Sequence, residues 1–273
     1  MATDWICLEA RIPASDEDAV TESLMALGLP GWAIEGQGEL LTLSIHVLPE
    51  DADEMTTAVE RLAEVPVTRR SFSDQSWTEG WAPERAGPFV VASLGAPEPE
   101  LSPGEYLVWL APALAFGGGE HPTTRLCLEA LPELAVSGLR CLDVGCGSGV
   151  LSVALGLLGA ASVQATDVDP TALRATRRAA EASGTAVDVV ATGLASMAEA
   201  DLAVANILAP VLVALAPDIA GKVRPGGRIL LSGIREGRES EVAAAYPECT
   251  LEWTRRQGGW VALLLQKRAQ ASS

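Results

Sequence analysis

Residues 144–166 carry no charged side chain, and this run limits the fold more than any other feature of the chain. A helix of about 20 apolar residues is long enough to cross a bilayer. The run, however, holds five glycines (Gly145, Gly147, Gly149, Gly156, Gly159) and opens as GCGSG. Backbone groups freed by such a break have no partner in lipid. The run therefore reads as the end of a buried strand, a glycine loop, a helix and a second strand, and no membrane contact is expected.

The flanking sequence repeats this alternation. RCLDVG (140–145) and SVQATD (162–167) read as strands around the helix VLSVALGLLG (150–159). Pro170 to Ser183 reads as a helix, with Asp169 as N-cap and Pro170 in the first helical position. VDVVAT (187–192), LAVANI (202–207) and GRILLSGI (227–234) are further strands. CTLEWTRRQ (249–257) and WVALLLQK (260–267) flank Gly258-Gly259, a hairpin signal. Upstream, PFVVASLG (88–95) and EYLVWLA (105–111) are strand-like. The glycine-rich FGGGEHPTT (116–124) leads into the helix RLCLEALPEL (125–134). Near-continuous apolar strands alternating with helices predict an α/β fold, a parallel sheet covered on both faces with an antiparallel hairpin at its edge.

The first 70 residues differ. WICLEARI (5–12), LLTLSIHVL (40–48) and VTRRSF (67–72) read as strands. Between them lie one helix started by Ser15 and a second over Asp51–Glu64. This is a small α/β sandwich. The expected organisation is an N-terminal domain (1–70), a linker (71–86) and a larger domain (87–273). Trp77 and Trp81, in the connecting stretch, are read as packing anchors.

Charge and thiols narrow the function. Lys and Arg total 19 and Asp and Glu 36, a net charge of −17. Broad contact with nucleic acid needs clustered cations and is not expected. Residues 1–70 hold 4 basic and 14 acidic residues, net −10, whereas residues 71–273 hold 15 and 22, net −7. Five scattered Cys and two His make neither a zinc site nor a disulfide framework, so no metal is expected. Scattered thiols of the reduced type and an N-terminus that lacks a basic-then-apolar signal point to the cytoplasm, and nothing in the sequence demands more than a monomer.

The chemistry centres on LDVGCGSG (142–149). Gly145, Gly147 and Gly149 allow a sharp turn from strand to helix. The helix N-terminus offers free N–H groups. Asp167, at the end of the next strand and 18 residues past Gly149, can accept hydrogen bonds from both hydroxyls of a ribose. The pair specifies a nucleoside-type ligand. A dinucleotide fingerprint would need a third glycine at position 150, which is Val150.

The D-x-G-x-G-x-G pattern beginning at Asp143 resembles the first motif of class I S-adenosylmethionine-dependent methyltransferases. That resemblance implies a Rossmann-like seven-stranded sheet and S-adenosyl-L-methionine as cofactor. Three more segments, FGGGEHPTTRLCLEAL (116–131), DLAVANILAPVLVALAP (201–217) and the Trp-containing stretch 73–91, resemble PrmA-type methyltransferases of large-subunit ribosomal protein L11. In that family the segments read approximately AFGTGTHPTT, VANIL and a Trp-rich linker. The resemblance implies a substrate-recognising N-terminal domain and N-methylation of Lys side chains, with the terminal amine a further target. It places Thr124, Gly145, Asp167 and Asn206 at cofactor-contacting positions, alongside Asp143, Gly147 and Gly149 of the loop. It makes Asn206, Thr124 and His121 the candidates for catalysis. Asn206 is expected to orient the amine, and His121 to shape its loop more than to act as base. The sequence Asn206-Ile207-Leu208-Ala209 lacks the aromatic that stacks a flipped base, which points away from nucleic acid. Gly118 and Glu120 depart from the family pattern, as does Ala111. The alternatives are methylation of another protein or a small amine by the same fold, or cofactor binding without catalysis.

Overall fold

The computed structural model describes residues 4–26, 32–36, 38–47, 49–73, 82–111 and 119–269. Trp77, Trp81 and residues 116–118 of the glycine-rich segment lie outside these. The chain divides into two compact units, 1–81 and 82–273.

The first unit runs β1 (Asp4–Pro13), α1 (Glu17–Ala26), β2 (Trp32–Glu35), β3 (Leu40–Val47), α2 (Ala52–Ala63) and β4 (Val67–Ser73). Its sheet has the order β2-β3-β1-β4, with every pair antiparallel. This is a ferredoxin-like βαββαβ unit. Alternation puts Leu8, Ala10 and Ile12 of β1 and Leu41, Leu43 and Ile45 of β3 into one core. Val20 and Leu24 of α1 and Val59 of α2 close it. The short β2 is a fourth strand beyond the three that the sequence signals. Ser15 does not cap α1: a 3-10 turn over Ala14–Asp16 precedes the helix, and Ser15 Oγ donates to Asp16.

The second unit contains β5 (Glu84–Ala86), β6 (Phe89–Ser93), β7 (Tyr106–Leu110), α3 (Pro122–Ala130), β8 (Arg140–Val144), α4 (Val150–Leu157), β9 (Ser162–Thr166), α5 (Pro170–Ala182) and β10 (Asp188–Val189). It continues through β11 (Ala200–Asn206), α6 (Ala209–Ala214), α7 (Ala216–Lys222), β12 (Val223–Arg235), α8 (Glu239–Ala244), β13 (Cys249–Gln257) and β14 (Trp260–Lys267). β4 thus runs past residue 70, and β5, inside the expected linker, pairs with β6.

The main sheet has seven strands in the order β10-β9-β8-β11-β12-β14-β13. The first five are parallel, and β14 runs antiparallel to both its neighbours. β8 leads outward to β9 and β10 on one side, while β11 and β12 build the other. The order therefore reverses between β8 and β11, and a crevice opens there at the carboxyl edge, where open α/β sheets bind ligands. The first two strand-like segments of the larger domain, now β6 and β7, form a separate three-stranded sheet with β5. That sheet meets α5 through Trp109 N, which donates to Ser183 Oγ at 2.9 Å. No helix among the described residues is long and apolar enough to cross a membrane.

Tyr246 shows how the core stitches helix ends. It is 1% exposed, and its hydroxyl donates to Leu212 O at 3.1 Å. Leu212 lies in the last turn of α6, where carbonyls have no intrahelical partner. Tyr246→Phe strands that carbonyl in the core and should cost about 1–3 kcal/mol. A thermal unfolding midpoint equal to that of the wild type would show that Leu212 does not depend on it.

Candidate active site at the carboxyl edge

The β8–α4 turn is built from glycines in the left-handed region, with φ of +76° at Gly145, +52° at Gly147 and +86° at Gly149. The sequence explains them by close approach of a ligand, and the structure supplies another reason. A Cβ on Gly145 would sit 2.3 Å from Cγ2 of Ile207. The glycine is required by the turn after β11 as well as by its own φ. The loop is tied to β9 by Gly145 N and Cys146 N, which donate to Thr166 O at 2.9 and 3.1 Å.

Asp167 faces this loop. Gly147 N donates to its Oδ2 at 2.9 Å, and Asp169 N donates to Oδ1 at 3.0 Å. Burial pushes its pKa up, against the pull of these two N–H groups. The carboxylate is thus fixed at the crevice, and each oxygen keeps a further lone pair for a hydroxyl. The next residue, Val168, is 93% exposed, an apolar surface beside the carboxylate that the motif reading passed over. Asp169 is the expected N-cap of α5, accepting from Thr171 N at 2.7 Å.

Asp143 is in a different situation. It is 1% exposed, lies under the loop and accepts from Ser152 Oγ at 2.5 Å. Its Oδ1 is buried with no hydrogen-bond partner among the described residues. Burial pushes its pKa up to about 7, with the Asp167 charge adding to the rise and Ser152 opposing it. The family resemblance sets Asp143 among the cofactor-contacting positions of the loop. The structure places it inside the protein as a group that holds its proton close to neutrality.

Thr124 and Asn206 come together. Asn206, the last residue of β11, donates from Nδ2 to Thr124 Oγ1 at 3.2 Å. Its Oδ1 is buried and has no partner among the described residues. Thr124 is fully buried and does not cap α3. The helix begins at Pro122, and the N-cap is His121, whose Nδ1 accepts from Thr123 N. That nitrogen also lies 2.7 Å from Thr123 Oγ1, and the ring meets Trp260 edge-on with centroids 5.0 Å apart. Burial, then the Arg235 charge, lowers the imidazole pKa to about 4. Glu120 is exposed, and Gly119 packs against Val91, whose side chain lies 3.2 Å from where its Cβ would be.

Motif reasoning missed Ile207, Ser232, Gly233 and Trp260. Each acts by packing or by a bond across elements, which no local pattern records. The arrangement suits a nucleoside at Asp167 and Val168, and a hydrogen-bond donor at the unpartnered Asn206 Oδ1.

Comparison with known proteins gives the same direction. The family model for ribosomal protein L11 methyltransferase (PrmA) matches residues 4–268. The chain is 36% identical over 297 aligned positions to the ribosomal protein L11 methyltransferase of Geobacter metallireducens, covering 97% of this chain and 99% of the relative. It is 42% identical over 302 positions to that of Symbiobacterium thermophilum, covering 96% and 99%. Among solved structures, the ribosomal protein L11 methylase of Lactobacillus delbrueckii subsp. bulgaricus superposes with a TM-score of 0.64 at 27% identity, over 69% of this chain and all of that one.

The buried carboxyl of Asp143 carries a pH signature. Its folded-state pKa lies above its unfolded value, so between about pH 4 and 7 the unfolded chain releases a proton that the native chain retains. Stability should therefore fall as pH rises through that window, by a few kcal/mol, and level off above it. Asp143→Asn should remove this part of the slope. Identical pH dependence of urea unfolding in the two proteins would show that the carboxyl is not protonated in the fold.

Proposed function

Because the chain belongs to the PrmA family of ribosomal protein L11 methyltransferases, we propose that the atoms it methylates are amine nitrogens, those of Lys side chains and of the N-terminus. It is an S-adenosylmethionine-dependent methyltransferase acting on ribosomal protein L11. The observation that carries the amine reading is the orphaned Oδ1 of Asn206. A buried acceptor left unpaired costs about 1–3 kcal/mol, and an amine N–H relieves it.

The residues present fit the cofactor. Asp167 and the Gly145–Gly149 turn would hold its ribose and amino-acid portion, Val168 would cover its base, and Thr124 and Asn206 would stand beside its reactive end. When bound, S-adenosylmethionine supplies an electrophilic methyl group on sulfonium sulfur. The chain must present a nitrogen lone pair in line with it. A Lys of pKa about 10.4 pays about 4–5 kcal/mol to be neutral at pH 7. Desolvation lowers that cost, because burial disfavours the ammonium. Asn206 Oδ1 accepts one amine N–H and so turns the lone pair, while Thr124 fixes the amide plane. Positioning of this kind supplies much of the remaining acceleration. His121, neutral at pH 7, shapes the start of α3.

The first unit is assigned to recognition of the protein substrate. Ribosomal proteins are commonly basic, and the net −10 of residues 1–70 would speed encounter, more so at low salt. We further propose that the protein acts in the cytoplasm as a monomer and touches no nucleic acid. The run Asn206-Ile207-Leu208-Ala209 supports the last point, since it carries no aromatic to stack a flipped base.

Incubation with labelled cofactor and unmethylated ribosomal protein L11, followed by mass spectrometry, should find the label on amine nitrogens. Label confined to carboxylates or guanidinium groups would overturn the amine reading. Asn206→Ala should lower kcat by about 100-fold, as loss of a positioning contact does. His121→Gln should lower the pH–rate profile between pH 6 and 8 without changing its shape. Loss of one limb of that profile would make His121 a base.

A further inference from the structure

β12 carries two residues set apart by an irregularity in the sheet. Against β14, Leu231 faces Leu263 and Ile234 faces Val261, so Ser232 and Gly233 together oppose Ala262. Against β11 the pairing stays in step from Leu202 to Asn206, with Asn206 opposite Ser232. This is a β-bulge, which bends a strand and re-aims its side chains, and such bulges gather next to active sites.

Ser232 is fully buried, and its hydroxyl donates to Thr123 O at 3.1 Å. Val261 O lies farther off at 3.5 Å, and the Cys127 thiol, one turn further along α3, is a second partner of the hydroxyl on that helix. The neighbouring residue on α3, Thr124, accepts from Asn206. Two consecutive residues of the first turn of α3 are thus tied to two adjacent strand ends, Thr123 to β12 and Thr124 to β11. Gly233 completes the arrangement. With φ of +84°, its backbone runs so close to the turn after Asn206 that a Cβ would lie 2.3 Å from Ile207 O.

The consequence concerns the Asn206 side chain. A terminal amide torsion is soft and has no sharp staggered minimum. Among the described residues the amide is pinned by one bond, to Thr124 Oγ1. The angle of Oδ1 is therefore no better defined than the position of Thr124. That position lies in the first turn of a helix, where intrahelical bonds are incomplete.

We propose that Ser232 is a positioning residue for methyl transfer, holding the first turn of α3 so that Thr124 fixes Asn206 Oδ1 toward the incoming nitrogen. The proposal rests on the assignment of Asn206 as the acceptor of the amine. Ser232 touches neither substrate nor cofactor in this scheme and acts only through Thr123 and Thr124.

The test uses Ser232→Ala in the full chain. Expected are a kcat for ribosomal protein L11 reduced about tenfold, and a KM for that protein and a Kd for S-adenosylmethionine within about twofold of wild type, a split that sets positioning apart from binding. In a Thr124→Val background the same substitution should cost almost nothing, because its route of action is already cut. An equal fold-loss in both backgrounds, or an unchanged kcat in the single variant, would overturn the proposal. A substrate-free readout is the side-chain amide resonance of Asn206 in isotope-labelled protein. It should be narrow in wild type and broadened or exchange-accelerated in Ser232→Ala. Should that variant fold poorly, Ser232→Cys, with its weaker donor, gives the same measurement, and an unchanged resonance there counts against the idea. If the wild-type chain transfers no methyl to amines, the functional reading fails. The amide resonance still decides by itself whether Ser232 holds Asn206.

Discussion

The carboxyl edge of the main sheet depends on one contact, that of Ile207 with two glycines. Its side chain occupies the space of a Cβ on Gly145, and its carbonyl occupies the space of a Cβ on Gly233. The loop after β8, the turn after β11 and the bulge in β12 are therefore locked to a single residue. That residue directly follows Asn206. Close packing of this sort transmits displacement, because interiors have the density of organic crystals and little free volume. An extra methyl on any of the three segments would shift Asn206 relative to Asp167. The nucleoside end and the amine end of the crevice are thereby held in one frame.

This frame also explains what could be read from the chain and what could not. The strand–glycine–helix pattern at residues 140–157, the capping by Asp169 and the terminal hairpin are local signals, and each lies where the pattern puts it. Their alternation gives a parallel sheet with an antiparallel edge, and the resemblance to class I methyltransferases implies its seven strands. Other features are tertiary. β2 is four residues long and too short for a period to show. The N-cap role of His121 depends on where α3 begins, which Pro122 sets more firmly than the threonines after it. Gly233 reads in sequence as a weak point inside an apolar strand, and only the approach of Ile207 gives it a reason. Ser232 looks like an incidental polar residue until Thr123 is seen above it.

The two acids of the cofactor loop show the same limit in electrostatic form. Asp143 and Asp167 look alike in sequence, each at the end of an apolar strand. Asp167 receives two backbone N–H groups and sits at the crevice. Asp143 is held by Ser152, through its hydroxyl and its backbone N–H, and is shut inside. Desolvation beyond what the donors offset favours the neutral acid, so Asp143, pushed up to about 7, is only about half ionised at neutral pH, while Asp167 keeps a backbone donor on each oxygen.

That division bears on how an amine could lose its proton here. An anion beside a Lys ammonium stabilises the charged form and raises its pKa, which opposes methyl transfer. The groups gathered at Asn206 are an amide and a hydroxyl, and the nearby imidazole has a pKa of about 4. All are neutral at pH 7, and all can accept or relay a hydrogen bond without favouring an ammonium. The anion of the loop, Asp167, is spent at the other end of the crevice and partly neutralised by backbone N–H groups. Glu120 is exposed to solvent on the loop before α3, where a charge can attract a cationic side chain without following it inward. In the proposed reaction, acidity outside recruits the ammonium and neutrality inside lets desolvation discharge it. Placing a carboxylate at the position of Asn206 would keep an acceptor for the amine, remove the N–H donated to Thr124 and reverse that logic.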